Sequence, residues 1–234
     1  EFLGNISHEL KTPLFTIQGY ILTLVEGGAL KDKKVREKYL RRAAKGVDRI
    51  ISIVKDLDLI TQFESGIKTV DRSEFNIYEL IVNVYDLLEF ESEKNNISLK
   101  LENIKDPLIY VNADQERILQ VLTNLIVNSI KYGSNNGYTK VLVEDYNKEK
   151  VIVRVIDNGE GIEQEHLPRL FERFYRIDKN RSRKKGGSGL GLSIVKHIIE
   201  AHQEEIFVES KIGKGTEFSF TLQKPKTSST KIEI

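Results

Sequence analysis

Two apolar seams with heptad spacing occupy the first 66 residues and limit what this chain can fold into. The first seam repeats every seven residues with further apolar positions between, and consists of Leu3, Ile6, Leu10, Leu14, Ile17, Ile21 and Leu24. The second alternates spacings of three and four, and consists of Leu40, Ala43, Val47, Ile50, Val54 and Leu57. Gly27 and Gly28 interrupt the pattern between them. The spacing predicts two long helices joined by a short turn as an antiparallel hairpin.

A hairpin of two helices cannot bury both of its seams by itself. Pairing with a second copy of the chain in a four-helix bundle would cover them, so a homodimer is predicted. The alternative is a hairpin that the rest of the chain covers.

The pattern changes from about Asp71. Residues 77–93 and 114–131 have the periodicity of amphipathic helices, and five short segments resemble strands: 97–101, 139–146, 151–156, 206–209 and 217–222. Their mixed order predicts an α+β domain with two layers. We therefore predict a helical domain at 1–66, a second domain at 67–225 and a polar tail at 226–234.

Composition excludes several classes of function. The formal net charge is +1, from 36 basic and 35 acidic residues, which predicts no nucleic-acid or membrane-surface partner. The absence of cysteine excludes disulfides and thiolate catalysis. No apolar run reaches the length of a membrane span. We expect no membrane contact within this segment.

One histidine lies on the outer side of the first seam. With Leu3 at position a of the heptad, His8 falls at position f, which faces away from a helix partner. Glu9 is adjacent, and Thr12 lies one turn later on the same face. An imidazole with an unprotonated nitrogen can accept a phosphoryl group, and a neighbouring carboxylate can orient its proton. The alternative is an ordinary surface histidine.

Polar residues on the second predicted helix of the later domain form one face. Asn124, Asn128 and Lys131 are spaced at i, i+4 and i+7, with Tyr132 beside them. Asparagine oxygens suit Mg²⁺, and a lysine can neutralise a phosphate. A solvated helix face would have the same composition.

Two glycine-containing segments follow. Asp157 ends an apolar strand and begins the turn DNGEG, where its carboxylate could accept a hydrogen bond from the adenine amine, although such a sequence can also be only a turn. Residues 186–192, GGSGLGL, lead into a helical stretch, and free amides at a helix start favour phosphate. This loop matches neither the Walker A pattern nor GxGxxG.

Between these segments, residues 172–185 contain seven basic residues against Glu172 and Asp178, which predicts either a mobile lid over phosphates or a solvated loop. The basic residues are Arg173, Arg176, Lys179, Arg181, Arg183, Lys184 and Lys185.

Taken together and in order, these motifs resemble those of bacterial sensor histidine kinases across nearly the whole chain. The similar segments are 7–13 (SHELKTP, the H-box), 124–132 (NLIVNSIKY, the N-box), 157–161 (DNGEG, the G1 box), 170–176 (LFERFYR, the F-box), 187–192 (GSGLGL, the G2 box) and 213–216 (GKGT). The resemblance implies a dimeric helical phosphotransfer domain followed by an ATP-binding α/β sandwich of the GHKL type.

The resemblance also implies functional roles. His8 would be the phosphoacceptor, Glu9 the general base, and Thr12 the residue that orients water when a response regulator is dephosphorylated. ATP and Mg²⁺ would be the cofactors, with Asn128 as the metal ligand. The nucleotide-binding residues would be Asn124, Asn128, Lys131, Tyr132, Asp157, Gly159, Gly161, Arg176, Gly187, Gly189, Leu190, Gly191 and Thr216. The phosphoryl group would then pass to an aspartate of a response regulator receiver domain.

The chain departs from the resemblance at Gln203 and Glu204, where such kinases usually have two glycines. We expect this change to remove the left-handed cap of the preceding helix. Two other functions remain open: a GHKL ATPase that hydrolyses ATP without autophosphorylation, and a dimeric scaffold without ATP chemistry.

Overall fold

The computed structural model describes residues 2–27, 30–64, 70–102, 108–177 and 187–226. Two long helices, α1 (Phe2–Glu26) and α2 (Lys33–Glu64), form the predicted hairpin. Gly28, in the predicted turn, lies outside the described residues, as do most of the predicted lid (residues 178–186) and nearly all of the polar tail.

The seams of the hairpin are buried only in part. Leu24 and Ala43 are buried between α1 and α2, and Ile53, Leu59 and Ile60 of α2 join the core of the following domain. Other apolar side chains of the hairpin stay exposed: Leu3, Leu14, Phe15, Ile21, Leu22, Val25, Leu30, Leu40, Val47, Ile51 and Val54. The second domain therefore covers one end of α2 and leaves a long apolar surface open on the hairpin.

The second domain is a mixed sheet with helices packed against it. In chain order its elements are β1 (Ser73–Asn76), α3 (Ile77–Lys94), β2 (Ser98–Leu101), β3 (Tyr110–Ala113), α4 (Gln115–Tyr132), β4 (Tyr138–Asp145), β5 (Lys150–Asp157), a 3₁₀ helix (Gln164–Arg169), α5 (Gly191–Ala201), β6 (Ile206–Lys211) and β7 (Gly215–Gln223). The five-stranded sheet has the order β2-β4-β5-β7-β6, with β2 and β4 parallel and the other pairs antiparallel. The predicted α+β architecture with two layers is confirmed.

Helix α4 is the centre of the packing that positions the site. It lies between α3 and α5 and against β4 and β5. Its buried face carries Ile118, Val121, Leu122, Leu125 and Ile126, which recur at helical spacing. Because this face is buried, the opposite face of α4 has a fixed orientation toward the space above the sheet.

Sequence periodicity missed the small pair of strands formed by β1 and β3. Each has four residues, and they pair antiparallel beside the main sheet. Strands this short do not establish an alternating pattern of their own. Both lead to well-capped helices: the side chain of Asn76 accepts from the backbone amide of Tyr78, and that of Asp114 from the amide of Arg117.

The cap expected to be lost at the end of α5 is present. Gln203 adopts a φ of 59°, in the left-handed region. Its amide donates to the carbonyl of Glu200, and the amide of Glu204 donates to that of Ile199, which is the hydrogen-bond pattern of a Schellman motif. The buried carboxylate of Glu204 also lies 2.8 Å from Lys150 and 2.5 Å from the hydroxyl of Thr221. The expectation from sequence was wrong because tertiary contacts hold the backbone in place of glycine.

None of the described helices combines the length and apolar character needed to cross a membrane.

Candidate functional site

A cavity of about 410 Å³ opens above the sheet between α4, the segment after β5 and the start of α5. Eleven predicted nucleotide-binding residues line it: Asn124, Asn128, Lys131, Tyr132, Asp157, Gly161, Arg176, Gly187, Gly189, Gly191 and Thr216. Residues from five separate motif segments of the chain therefore meet in one place.

Asp157 is the buried acid of this cavity. Its Oδ1 accepts hydrogen bonds from the backbone amides of Gly159 at 2.8 Å and Thr216 at 3.2 Å. Burial raises the pKa of the Asp157 carboxyl, and these two hydrogen bonds oppose that rise. With Oδ1 held by backbone, the carboxylate has a fixed orientation in which it presents an acceptor to a ligand.

Two glycines permit close approaches of backbone around the cavity. Gly161 has a φ of +74°, and a Cβ there would lie 2.2 Å from the carbonyl oxygen of Lys211. Gly189 has a φ of +78°, and a Cβ there would lie 2.8 Å from the Cα of Phe174. Both the conformation and the space exclude a side chain at these two positions.

Cationic side chains converge at one end of the cavity. Burial lowers the pKa of the Lys131 ammonium, Glu91 opposes this, and the charges of Arg49 and Arg176 lower the pKa further. Arg49 belongs to α2 and does not line the cavity, but its charge acts on Lys131. Lys131 and Arg176 line the cavity, and two cations that disfavour one another favour the binding of an anion at this end.

The two predicted asparagines lie on the exposed side of α4. Both Asn124 and Asn128 line the cavity, and the side chain of Asn124 faces the first residue of α5, Gly191, where an added Cβ would lie 3.3 Å from its Oδ1. Half-buried amide oxygens in a cavity with a cationic end are suitable ligands for a magnesium ion that also binds phosphate oxygens.

His8 is exposed on α1 and lines a second, adjoining groove of about 1060 Å³. Glu9 lines the same groove, together with residues of the predicted F-box. Residues 175–177 line both the groove and the cavity. Arg176 therefore stands in the wall that separates the histidine from the cavity.

Glu9 makes two ion pairs, one within the hairpin and one with the second domain. Its Oε2 lies 3.2 Å from Nη2 of Arg49, and its Oε1 lies 3.4 Å from Nη1 of Arg176. The side chains of Glu9 and Arg176 are largely buried, with exposed fractions of 13% and 7%. Both His8 and Glu9 line the groove, but His8 is exposed, whereas Glu9 is directed into its contacts with the two arginines.

Thr12 lies on the same helix face as His8, as predicted. Its hydroxyl donates a 3.2 Å hydrogen bond to the backbone carbonyl of His8, and both residues are exposed. The hydroxyl oxygen keeps lone pairs that can accept from water.

Two predicted nucleotide-binding residues do not line the cavity. Gly159 supports it from behind, since its amide holds Asp157, and a Cβ there would lie 2.5 Å from the carbonyl of Tyr132. Leu190 is fully buried in the core, where its carbonyl accepts from Ser193 and Ile194 at the start of α5. Both residues shape the loops that surround the cavity.

Sequence reasoning missed the part of the site that α2 contributes. Ser52 and Asp56 line the cavity, and the charge of Arg49, which lies outside its lining, acts on Lys131. Burial raises the pKa of the Asp56 carboxyl to about 6. These residues belong to no local motif. The one signal in the sequence is that they are polar residues beside the apolar seam of α2.

Comparisons with known proteins agree with this geometry. Residues 113–226 match the model of the histidine kinase-, DNA gyrase B- and HSP90-like ATPases, and residues 1–66 match that of the His Kinase A (phospho-acceptor) domain. The sensor histidine kinase WalK of Bacillus subtilis (strain 168) is 36% identical over 95% of this chain and 36% of its own length. Drug sensory protein A of Synechocystis sp. is 37% identical over 95% of this chain and 34% of its own length.

Solved structures extend the comparison. The catalytic domain of histidine kinase ThkA has a TM-score of 0.58 and 36% identity, covering 66% of this chain and 96% of that domain. ThkA in complex with response regulator protein TrrA has a TM-score of 0.73 and 30% identity, covering 96% of this chain and 61% of that one.

The sandwich with its acid, asparagines and glycine loop defines an ATPase of the histidine kinase and gyrase class. With the hairpin that carries His8, the chain belongs to the sensor histidine kinases and is the catalytic core of such an enzyme. It spans about a third of the length of the curated relatives named here.

Proposed function

We propose that this chain transfers the γ-phosphoryl group of ATP to His8 and then to an aspartate of a response regulator receiver domain. The observation that carries the proposal is the wall shared by the cavity and the histidine groove, in which Arg176 lies. A triphosphate whose terminal group reached this wall would lie beside the groove that contains His8. In-line phosphoryl transfer depends mainly on such positioning and on neutralisation of charge.

The residues at the two ends of the cavity have different proposed roles. Asp157 would accept from the exocyclic amine of adenine, with its orientation fixed by Gly159 and Thr216. Lys131 and Arg176 would bind the phosphates, since their mutual repulsion is relieved by an anion. Asn128, with Asn124 beside it, would hold Mg²⁺, which when bound neutralises phosphate charge.

His8 would act as the nucleophile through an unprotonated ring nitrogen, and Glu9 as the carboxylate that takes or orients the other proton. His8 lines the groove rather than the cavity, so transfer requires the hairpin and the ATPase domain to move relative to each other. The ion pair of Glu9 with Arg176 and the hydrogen bond of Arg49 to the Gly187 carbonyl are polar contacts that such a movement would rearrange.

The exposed apolar surface of the hairpin supports a homodimer. The second domain covers only one end of α2. A second copy of the chain would cover exposed apolar side chains elsewhere on the hairpin, such as Leu14, Ile21 and Val47. Light scattering at micromolar concentration should then give about twice the mass of 26.8 kDa, whereas a monomer throughout that range would contradict the bundle.

The names of the relatives support two further proposals, one on the cellular location of the chain and one on phosphatase activity. They are sensor proteins, and one related structure is a complex with a response regulator. We infer that the chain is the cytoplasmic catalytic part of an inner-membrane sensor and that it also dephosphorylates its regulator.

The decisive experiment is incubation with γ-labelled ATP and Mg²⁺. We expect label that is labile in acid and stable in alkali, as a phosphohistidine is. The chain has four histidines, so His8→Gln identifies the acceptor, and it should abolish labelling while nucleotide binding persists. ATP hydrolysis without labelled protein would instead favour a GHKL ATPase of another kind.

A further inference from the structure

Arg49 of α2 contacts both the H-box, at Glu9, and the glycine loop, at Gly187. Its Nη2 lies 3.2 Å from Oε2 of Glu9 and 3.2 Å from the carbonyl oxygen of Gly187. The first contact is within the helical hairpin, and the second crosses to the loop at the start of α5. One guanidinium group therefore links the proposed general base to the proposed phosphate loop.

Glu9 is held from both sides in this arrangement. Arg49 binds one carboxylate oxygen and Arg176 binds the other. The two arginines differ in what else they approach, because Arg176 lines the cavity and Arg49 does not. A triphosphate in the cavity would compete with Glu9 for Arg176. The pair between Glu9 and Arg49 involves the hairpin alone and can persist through that exchange.

We propose that Arg49 is a positioning residue for phosphoryl transfer to His8. Arg49 holds Glu9 through Oε2 while Arg176 releases Oε1 and binds the phosphates. Oε1 of Glu9 can then interact with the ring proton of His8. The hydrogen bond from Arg49 to the Gly187 carbonyl holds Glu9 in a fixed position relative to the glycine loop, which would bind ATP. The proposal rests on the proposed autophosphorylation and adds a residue to its machinery.

The structure provides a matched control on the same helix. Arg42 lies seven residues before Arg49 and so on the same face of α2. It also bridges to α1, since its Nη1 donates to the hydroxyl of Tyr20 at 3.2 Å and its guanidinium lies over that ring. It has no ion pair with Glu9 among the described residues. Replacing Arg42 therefore removes a similar contact between the helices without altering the base.

The test measures labelling rates of the whole chain over a range of ATP concentrations. A displaced catalytic group commonly costs about 10²-fold in rate, so Arg49→Ala should lower kcat by about that factor. The KM for ATP should stay within about threefold, because the contacts that bind ATP equally in the ground state and the transition state are retained. Arg49→Lys keeps the charge and should recover most of kcat, and Arg42→Ala should keep the kcat of the unmodified chain.

A double-mutant cycle with Glu9→Gln decides how Arg49 acts. If it acts through Glu9, then Arg49→Ala should change kcat by less than about twofold in the Glu9→Gln background. Additive losses, an unchanged kcat in Arg49→Ala, or an equal loss in Arg42→Ala would each overturn the proposal. Absence of label in the unmodified chain would instead overturn the proposed autophosphorylation itself.

Discussion

The backbone amide of Phe174 donates a 2.8 Å hydrogen bond to the carbonyl oxygen of Gly189. Both residues have positive φ, 61° for the phenylalanine and +78° for the glycine. The left-handed region is costly for a bulky side chain, and the contact with Gly189 helps to keep Phe174 in it. This hydrogen bond joins the F-box segment to the glycine loop and so fixes one wall of the cavity.

Gly189→Ala should therefore damage the cavity more than an ordinary glycine replacement. Its Cβ would lie 2.8 Å from the Cα of Phe174, so the loop or the F-box segment must move. We expect the affinity for a fluorescent ATP analogue to fall at least tenfold, equivalent to about 1.4 kcal/mol. Gly213→Ala is the control, because Gly213 has a similar φ of +75° and no atom within 4 Å of an added Cβ. Similar affinities in the two variants would show that the close approach has no effect on binding.

Asp157→Asn should abolish productive ATP binding without unfolding the domain. The amide oxygen can still accept from Gly159 and Thr216, which directs the NH₂ group toward the ligand. A donor would then face the donor amine of adenine. Isothermal titration with ATP, combined with a thermal melt, separates the loss of binding from a loss of stability. Unchanged affinity would mean that adenine does not contact Asp157.

Thr12→Ala should separate the two activities proposed for α1. Labelling of His8 does not need the hydroxyl and should stay within a few-fold. Removal of a phosphoryl group from the regulator should fall about 10²–10³-fold if the Thr12 hydroxyl orients the attacking water. Alanine has high helix propensity, so α1 should persist although the bond to the His8 carbonyl is lost. The paired measurement is label gained by the kinase and label lost from its phosphorylated regulator. Equal losses would indicate a structural role for Thr12.

Gln203→Gly should stabilise the chain by about 0.5–1 kcal/mol, because glycine adopts the left-handed conformation of this cap without steric cost. The hydrogen bonds of the cap involve backbone alone and should persist. Asn136→Gly is the comparison: Asn136 has a φ of 58°, but asparagine tolerates this region, so the gain should be smaller. Urea denaturation measures both variants. A destabilised Gln203→Gly would show that the glutamine side chain stabilises the fold.

His202 should make the chain less stable in mild acid. The ring is buried, its Nε2 accepts from the amide of Asp114, and its Nδ1 lies 2.7 Å from the carbonyl of Ile198, so it is held neutral. Burial lowers its pKa from the ordinary 6.5, and the hydrogen bond to Ile198 opposes this. The unfolded state therefore binds the proton more readily, and the stability present above pH 6.5 is lost as the pH falls below it.

The measurement for His202 is the free energy of unfolding at several pH values between 7.5 and 5. His202→Gln should flatten its slope by up to about 1.4 kcal/mol per pH unit, the value for one proton. The slope that remains should combine two opposite contributions, because burial and the charge of Arg173 lower the pKa of His197, whereas burial raises the pKa of Asp56 to about 6. A slope that His202→Gln leaves unchanged would show that another group takes up the proton.

The sequence alone determined the architecture and most of the residues around the cavity. Heptad spacing is a local property, so it predicted α1 and α2, and alternation predicted the five strands of the main sheet. The nucleotide motifs could be recognised because each is contiguous and its glycines meet local backbone requirements, as at Gly161 and Gly189. Periodicity failed for β1 and β3, which are too short to have a pattern and form by pairing with each other.

Only the tertiary structure decided how the two domains meet. The contacts of Glu9 with Arg49 and Arg176 join residues 40 and 167 positions apart, and no local motif specifies them. The cap at Gln203 likewise forms where local propensity disfavours it, next to a buried Glu204 that pairs with Lys150. Local preferences at such positions amount to about 1 kcal/mol, and packing and paired charges from distant segments can exceed them.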